Sequence, residues 1–381
     1  MQIELATPLL GGLSPAQFMR RHWQKKPLLV RGAIADVVPP IGRAALFELA
    51  GCDDVESRLV AQEHGRWRLR HGPFARRALP PASRPGWTLL LQGLDLHVQA
   101  AHELLARFRF VPDARLDDLM LSWASDGGGV GPHRDSYDVF LLQVQGRRRW
   151  RIGRAREPAL RDDVPLKMLR GFEPEADWLL EPGDMLYLPP GWAHDGVAEG
   201  ECMTCSIGFR APGRERLARD VLQAVIDGVE AAGDEPIYRD AMQSATAEPG
   251  RIPSALQAFA GAALRRLLGE PAALERALGE VLSEPKPRVV FERRPVRSGA
   301  PAGLRLDRRS RMIYDARHVY LNGESYRASG RDARLMRSLA DARSLAHGEV
   351  ERLSSEARAL VAQWLEAGWL QPKIDDEEEG R

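Results

Sequence analysis

Between residues 118 and 210 the chain carries six short apolar runs, LMLSWA, DVFLLQVQ, RRWRIG, WLLEPG, MLYLPP and CMTCSIGF, parted by Gly and Pro clusters. Runs this short, bounded by turn residues, suit strands better than helices. Their repetition predicts an all-β sandwich or barrel. The flanks read differently. Ser14 as N-cap with Pro15 in the first turn predicts a short amphipathic helix, followed by LLV (28–30) as a short strand. Residues 43–50 and 97–110 also read as helices.

After Pro212 the period changes. Leu217, Val221, Val225 and Val229 recur every fourth position, and SALQAFAGAALRRLLG and PAALERALGEVLS continue the helical pattern. The expectation is a three-helix bundle over 212–286 with little core of its own. Its apolar stripes are expected to bury against another domain or a second subunit, with a homodimer interface as the favoured reading. The Pro- and Arg-rich segment 285–301 reads as a linker. Beyond it, Asn322-Gly323 signals a hairpin, and DARLMRSLADA and EARALVAQWLEAG signal two helices. A winged-helix-like α+β module over 287–374 fits. The run DDEEE then opens an acidic tail, 375–381, expected to be solvated. The β domain with its leading helices takes 1–211, since 381 residues exceed one ordinary core.

Composition excludes several classes. No apolar run approaches the length of a membrane helix, and the opening MQIELATPLLGG lacks a cationic, apolar leader, so a cytoplasmic protein with no membrane partner is expected. Three cysteines rule out a disulfide scaffold. Cys202 and Cys205 form a single CxxC with no second pair to complete a zinc site, and they fall in a strand pattern. A net charge of +1 gives no chain-wide field for nucleic acid. From Arg288 to Lys373, however, 17 Lys+Arg against 10 Asp+Glu leave +7. That permits RNA contact by the winged helix, although fold analogy alone is a poor warrant and a docking or structural role is favoured. The run GGGVG (127–131) lacks the Lys-Ser/Thr of a phosphate loop and reads as a flexible lip.

The chemistry lies in DGGGVGPHRDSYDVFLLQVQGRRRWRIG (126–153) and EPGDMLYLPPGWAHD (181–195). On a strand, His133 and Asp135 point the same way and Arg134 the opposite way. One imidazole and one carboxylate can then grip a single ion. A turn at Glu-Pro-Gly-Asp feeds the strand MLYLP, and Pro-Gly-Trp presents His194 at its far end. A barrel brings such distant segments together, giving a two-histidine, one-carboxylate set of the kind that holds Fe(II) in non-haem oxygenases. Three protein ligands leave room for a chelating 2-oxo acid and dioxygen. A 2-oxoglutarate site also needs a cation for the distal carboxylate. Arg147, Arg148 and Arg149, placed on the strand after DVFLLQVQ, supply candidates, and alternation turns one of them inward. Arg148 is the choice, with Ser122 adding a hydroxyl; a solvated or substrate-facing arginine patch is the competing reading. The remaining histidines lack partner spacing.

These stretches, with SIGFRAP and the early HWQKKPLLVRGA, resemble the JmjC-type ribosomal oxygenases, specifically the bacterial branch that hydroxylates an arginine of a large-subunit ribosomal protein. The resemblance runs along essentially the whole chain. It implies a mainly β fold with α, a JmjC cupin (double-stranded β-helix, or jelly roll), followed by a helical dimerisation region and a C-terminal winged helix. It implies iron at His133, Asp135 and His194. The oxoglutarate base falls fifteen residues after the first ligand, on Arg148, where many JmjC relatives have lysine. It further implies 3-hydroxylation of an arginyl side chain in the sixteenth large-subunit protein, with Tyr137 and Asp138 helping to orient that substrate. Iron and cosubstrate residues recur across JmjC enzymes and do not choose the substrate. Two alternatives therefore stay open, an N-methyl demethylase and a metal-bound cupin that only binds a partner.

Overall fold

A computed structural model describes residues 2–63, 65–154, 159–228, 237–245, 249–293 and 303–373. The chain forms two compact units, Met1–Ala211 and Pro212–Arg381.

In the first unit, helix α1 (Pro15–Arg21) starts at a reciprocal cap. Ser14 Oγ accepts from Gln17 N at 3.2 Å, while Ser14 N donates to Gln17 Oε1 at 3.1 Å. Strand β1 (Leu28–Val30) and helix α2 (Arg43–Leu49) follow, then β2 (Ser57–Glu63), β3 (Arg66–His71), β4 (Trp87–Leu91), helix α3 (Gln99–Ala106) and β5 (Leu116–Ala124). The rest of the unit is β6 (His133–Arg134), β7 (Val139–Arg154), β8 (Ala176–Leu180), β9 (Met185–Leu188) and β10 (Trp192–Phe209). All ten strands share one sheet in the order β1-β9-β7-β10-β5-β4-β2-β3, with β6 added to β10 and β8 to β7.

The two longest strands fold this sheet double. β7 and β10 pair almost end to end, with register shifts between Glu199 and Thr204. The first half of β7 pairs with β9 and the second half with β8. Likewise β10 pairs with β6 at its start and β5 at its end. This is the cupin-like arrangement. The Arg147–Arg149 triplet therefore lies on the same strand as DVFLLQVQ, not on the next one as its sequence suggests. Gly146 makes that continuity possible. It sits at φ +61°, and a Cβ there would lie 2.1 Å from the carbonyl oxygen of Glu201. Gly146→Ala is expected to cost at least about 2 kcal/mol in urea unfolding, from a left-handed backbone and a backbone collision together.

Alternation along β7 separates two apolar layers. Phe140, Leu142 and Val144 join the large core that includes Phe18, Phe47, Trp87 and Trp123. Val139, Leu141, Trp150 and Ile152 join Leu180, Leu186 and Leu188 inside the folded sheet. The second face carries the chemistry.

The second unit opens with α4 (Arg214–Asp227), α5 (Ser254–Leu268) and α6 (Pro271–Ser283). It continues through β11 (Gly303–Leu306), β12 (Met312–Tyr314), β13 (His318–Leu321), β14 (Glu324–Arg327), α7 (Gly330–Ala342), β15 (Ser344–Ala346), α8 (His347–Val350), α9 (Ser355–Glu366) and β16 (Leu370–Pro372). The hairpin between β13 and β14 turns at Asn322 and Gly323, with φ +53° and +91°. Helix α6 packs on α4 but also on the β12–β14 sheet, so it does not divide cleanly from the following module as a boundary at 286 implies. A Cβ on Gly279 would lie 2.2 Å from the Tyr320 ring, and Ser283 Oγ accepts from Gly323 N at 3.1 Å. Helix α5 buries none of its side chains, and Leu256, Phe259, Leu264 and Leu268 are exposed on it. Val229, residues 294–301 of the expected linker and the acidic tail fall outside the described residues. No helix among those described is long and apolar enough to cross a membrane.

Candidate metal centre

Strand β6 is only two residues long, and it sets His133 directly opposite His194 on β10. The turn before β10, Pro189-Pro190-Gly191, is tied to the same place by Gly191 N donating to Asp135 O at 2.8 Å. His194 thus lies near the start of the strand after MLYL, beyond the turn. The two imidazole centroids are 4.2 Å apart, and Asp135 Oδ2 lies 3.7 Å from His194 Nε2. One ligand atom from each of His133, Asp135 and His194 lies within 4.8 Å of the others. No other set of three or more His, Cys, Asp or Glu is placed this way among the described residues.

The surroundings fix the ligand atoms. Nδ1 of His133 lies 2.9 Å from Gly131 O, and Nδ1 of His194 lies 3.1 Å from Trp192 O. A carbonyl only accepts, so each Nδ1 carries the proton and each Nε2 keeps its lone pair. Burial, then the neighbouring His133, pushes the His194 imidazole down to about 3, so it stays neutral at physiological pH. Burial raises the Asp135 carboxyl above its ordinary range, against the pull of His133 and a hydrogen bond with Tyr137. A divalent cation would supply the charge that such a carboxylate lacks. Two imidazoles and one carboxylate, with no thiolate, suit Fe(II).

Arg148 lies 4% exposed on the inner face of β7, while Arg147 and Arg149 are exposed. Arg149 pairs outward with Glu199 at 2.8 Å and Asp177 at 3.1 Å. Arg148 Nη1 donates to Ser122 Oγ at 3.1 Å, and its guanidinium sits over the Trp150 ring. Its Nε and Nη2 are buried with no hydrogen-bond partner among the described residues. A buried guanidinium with two donors unspent calls for an anion, and a carboxylate matches its geometry. The far end of 2-oxoglutarate fits that need.

Two expectations need correction. Asp138 is fully buried, and its carboxylate accepts from Tyr187 Oη at 2.6 Å and Gln24 Nε2 at 3.0 Å, with Arg115 Nη2 at 3.6 Å. Its guanidinium partner belongs to this chain, so it does not face a substrate. The 127–131 run is not a flexible lip either. A Cβ on Gly128 would lie 2.4 Å from Trp87 O and one on Gly129 2.6 Å from Gly196 O, and hydrogen bonds join Gly127 and Gly128 to Ala198. Those glycines let backbone pack on backbone.

Tyr137 is 39% exposed and hydrogen-bonds Asp135. The acid whose charge acts on it, besides Asp135, is Asp118. Asp118 is buried on β5 and accepts from Gln92 Nε2 at 2.7 Å and Gly93 N at 2.8 Å. The sequence signal for it is strand alternation: Asp118, Met120 and Ser122 share a face of β5, and Ser122 meets Arg148. Gly208 leaves space beside it, since a Cβ there would lie 3.7 Å from Asp118 Oδ1.

Comparison with known proteins agrees with this layout. Residues 103–217 match the JmjC domain and residues 263–371 a ROXA-like winged helix. The chain is 41% identical over 216 residues to the ribosomal protein uL16 3-hydroxylase of Escherichia coli (strain K12). That alignment covers 55% of this chain and 57% of the relative, so the chain spans little more than half the length of that curated protein. The X-ray structure of E. coli ycfD superposes with a TM-score of 0.82 at 31% identity, covering 94% of this chain and 98% of that one. A structure of YcfD, described as a ribosomal oxygenase from Escherichia coli in complex with cobalt and 2-oxoglutarate, superposes at 0.77 with 30% identity and covers 98% of that chain.

Proposed function

The chain belongs to the JmjC-type ribosomal oxygenases, and on that premise we propose that it is an Fe(II)- and 2-oxoglutarate-dependent hydroxylase acting at C3 of an arginine in a large-subunit ribosomal protein. The observation that carries the reading is Arg148, a buried guanidinium with two donors unspent on the inner wall that also bears the His-Asp-His cluster. The reading assigns metal binding to His133, Asp135 and His194, and it seats the distal carboxylate of 2-oxoglutarate on Arg148 with Ser122. Bound iron would let dioxygen act as the oxidant, taking two electrons from the decarboxylation of 2-oxoglutarate to succinate and two from the C–H bond that is hydroxylated. The protein's own work is to hold the His194 imidazole neutral, keep the oxo acid in one orientation and position the target side chain.

For the target guanidinium, Asp118 with Tyr137 replaces Asp138 as the partner, because Asp118 lies on the same strand face as Ser122 and its charge reaches Tyr137. Asp118→Asn is expected to raise KM for an arginine peptide by about 10–100-fold, the size of a lost charge-assisted hydrogen bond. KM for 2-oxoglutarate should change little, and a matching rise in both would place Asp118 elsewhere in the mechanism. The reading also takes the protein to be cytoplasmic, where ribosomes assemble. It further takes the chain to be a homodimer through 212–286, supported by the exposed apolar side chains of α5.

The test is incubation with ribosomal protein fragments, Fe(II), ascorbate and 2-oxoglutarate, followed by residue-level mass spectrometry. One added oxygen on an arginine, with succinate formed, is expected. Loss of a methyl group with formaldehyde would mean a demethylase. Intact 2-oxoglutarate beside unmodified fragments would leave a cupin that only binds.

A further inference from the structure

Residues 64–94 contain six arginines, Arg66, Arg68, Arg70, Arg76, Arg77 and Arg84, and no Asp, Glu or Lys. In a chain with net charge +1, this is a local excess of six positive charges. All six side chains are exposed. Arg66, Arg68 and Arg70 occupy alternate positions of β3, so they project from one face of the strand. β3 is the last strand in the sheet order, an edge with no further strand paired to it among the described residues.

Contacts join the other arginines to this row. Glu63 is 3.4 Å from Arg68 Nε and 3.1 Å from Arg84 Nη2, so one carboxylate serves two guanidiniums. Arg70 Nη1 donates to Ala78 O at 3.3 Å, which ties the strand to the short helical turn Arg76–Ala78 carrying Arg76 and Arg77. The Arg70 and Arg76 guanidiniums lie over the Phe74 and Phe47 rings at 5.4 and 5.0 Å, which limits their freedom. Arg66 and Arg77 have no carboxylate within ion-pair distance among the described residues.

Charge on an edge strand deters strand addition, and one or two charges serve that purpose. Six arginines within nineteen residues, against one glutamate, exceed it. The spacing is also informative. Alternate strand residues stand about 7 Å apart, a repeat that suits successive phosphates of a nucleic-acid strand, and a guanidinium binds phosphate through a two-pronged hydrogen bond. A cationic, arginine-bearing peptide is repelled by this surface. We infer that the β3 edge and the Arg76–Ala78 turn form a binding surface for the phosphate backbone of RNA, separate from the metal centre and independent of the reaction proposed for it.

The full chain is titrated into a fluorescein-labelled RNA hairpin and followed by anisotropy between 50 and 300 mM KCl. Affinity should fall with salt on a log–log slope of magnitude about 3–5, for four to six arginines at about 0.7–0.9 per phosphate. Arg66, Arg68 and Arg77 are the least engaged in packing, so R66Q/R68Q/R77Q tests charge without disturbing the fold. That triple variant should bind at least about 10-fold more weakly with the slope reduced by about 2–3. Its hydroxylation of a short arginine peptide should be unchanged, and R66K/R68K/R77K should stay within about threefold of the parent. An unchanged affinity and slope in the Gln variant would overturn the inference. So would polyglutamate displacing the hairpin as well as unlabelled RNA at equal charge, which would make the surface a site for acidic protein.

Discussion

Replacing Asp135 with alanine is expected to abolish 2-oxoglutarate turnover and leave the fold intact. The carboxylate is the one anionic group of the three candidate ligands, and the two imidazoles have their Nδ1 protons committed to Gly131 O and Trp192 O. Removing a group that merely orients a ligand costs about 10–100-fold in metal affinity, so removing a ligand itself should cost at least about 100-fold. Without metal, burial already disfavours the ionised Asp135. Its loss should therefore leave the thermal midpoint of the metal-free protein unchanged or slightly raised. Calorimetric titration with Co(II) and a melting curve on the same preparation check both halves. His133→Ala should behave alike. Tight metal binding by either variant would show that the cluster is not the site.

Arg148→Ala is the second large effect. Truncating one partner of a buried, hydrogen-bonded charge pair costs about 2–5 kcal/mol, which is a rise of about 30- to several-thousand-fold in the dissociation constant of 2-oxoglutarate. Metal affinity in the absence of cosubstrate should hold, because Arg148 bonds Ser122 and not the ligand cluster. The fold should tolerate the change, since two of the guanidinium donors make no hydrogen bond that would be lost. Arg148→Lys should recover part of the affinity, as a point charge replaces a two-pronged one. Unchanged cosubstrate binding in Arg148→Ala would mean that another base seats the oxo acid.

Which features were legible in the sequence follows from how far strand alternation runs unbroken. Arg148 turns inward between two outward neighbours by that alternation, while His133 and Asp135 meet at one site although β6 ends at Arg134. Ser14-Pro15 and Asn322-Gly323 marked a helix start and a hairpin through local chemistry that packing did not override. The expectation for Asp138 comes from its place beside the metal strand, in the stretch between β6 and β7 where alternation does not fix the direction of a side chain. The burial of Asp138 depends on Gln24, Arg115 and Tyr187, all distant in sequence. Asp118, in an unbroken strand with Ser122, is legible by the same alternation. The continuity of β7 through Gly146 was not readable, since a glycine between two apolar runs is as good a turn as a bulge until β10 is seen to pair across it. The dual packing of α6 was hidden likewise, because Gly279 gains its meaning only from the Tyr320 ring.

The most direct test of the central claim is an anomalous-difference map at the iron edge, from crystals grown anaerobically with Fe(II) and 2-oxoglutarate. The account predicts one strong peak bonded to His133, Asp135 and His194, with the far carboxylate of the oxo acid against Arg148 and Ser122. A peak away from those three side chains, or a cosubstrate lying against Arg147 or Arg149 instead, would contradict it.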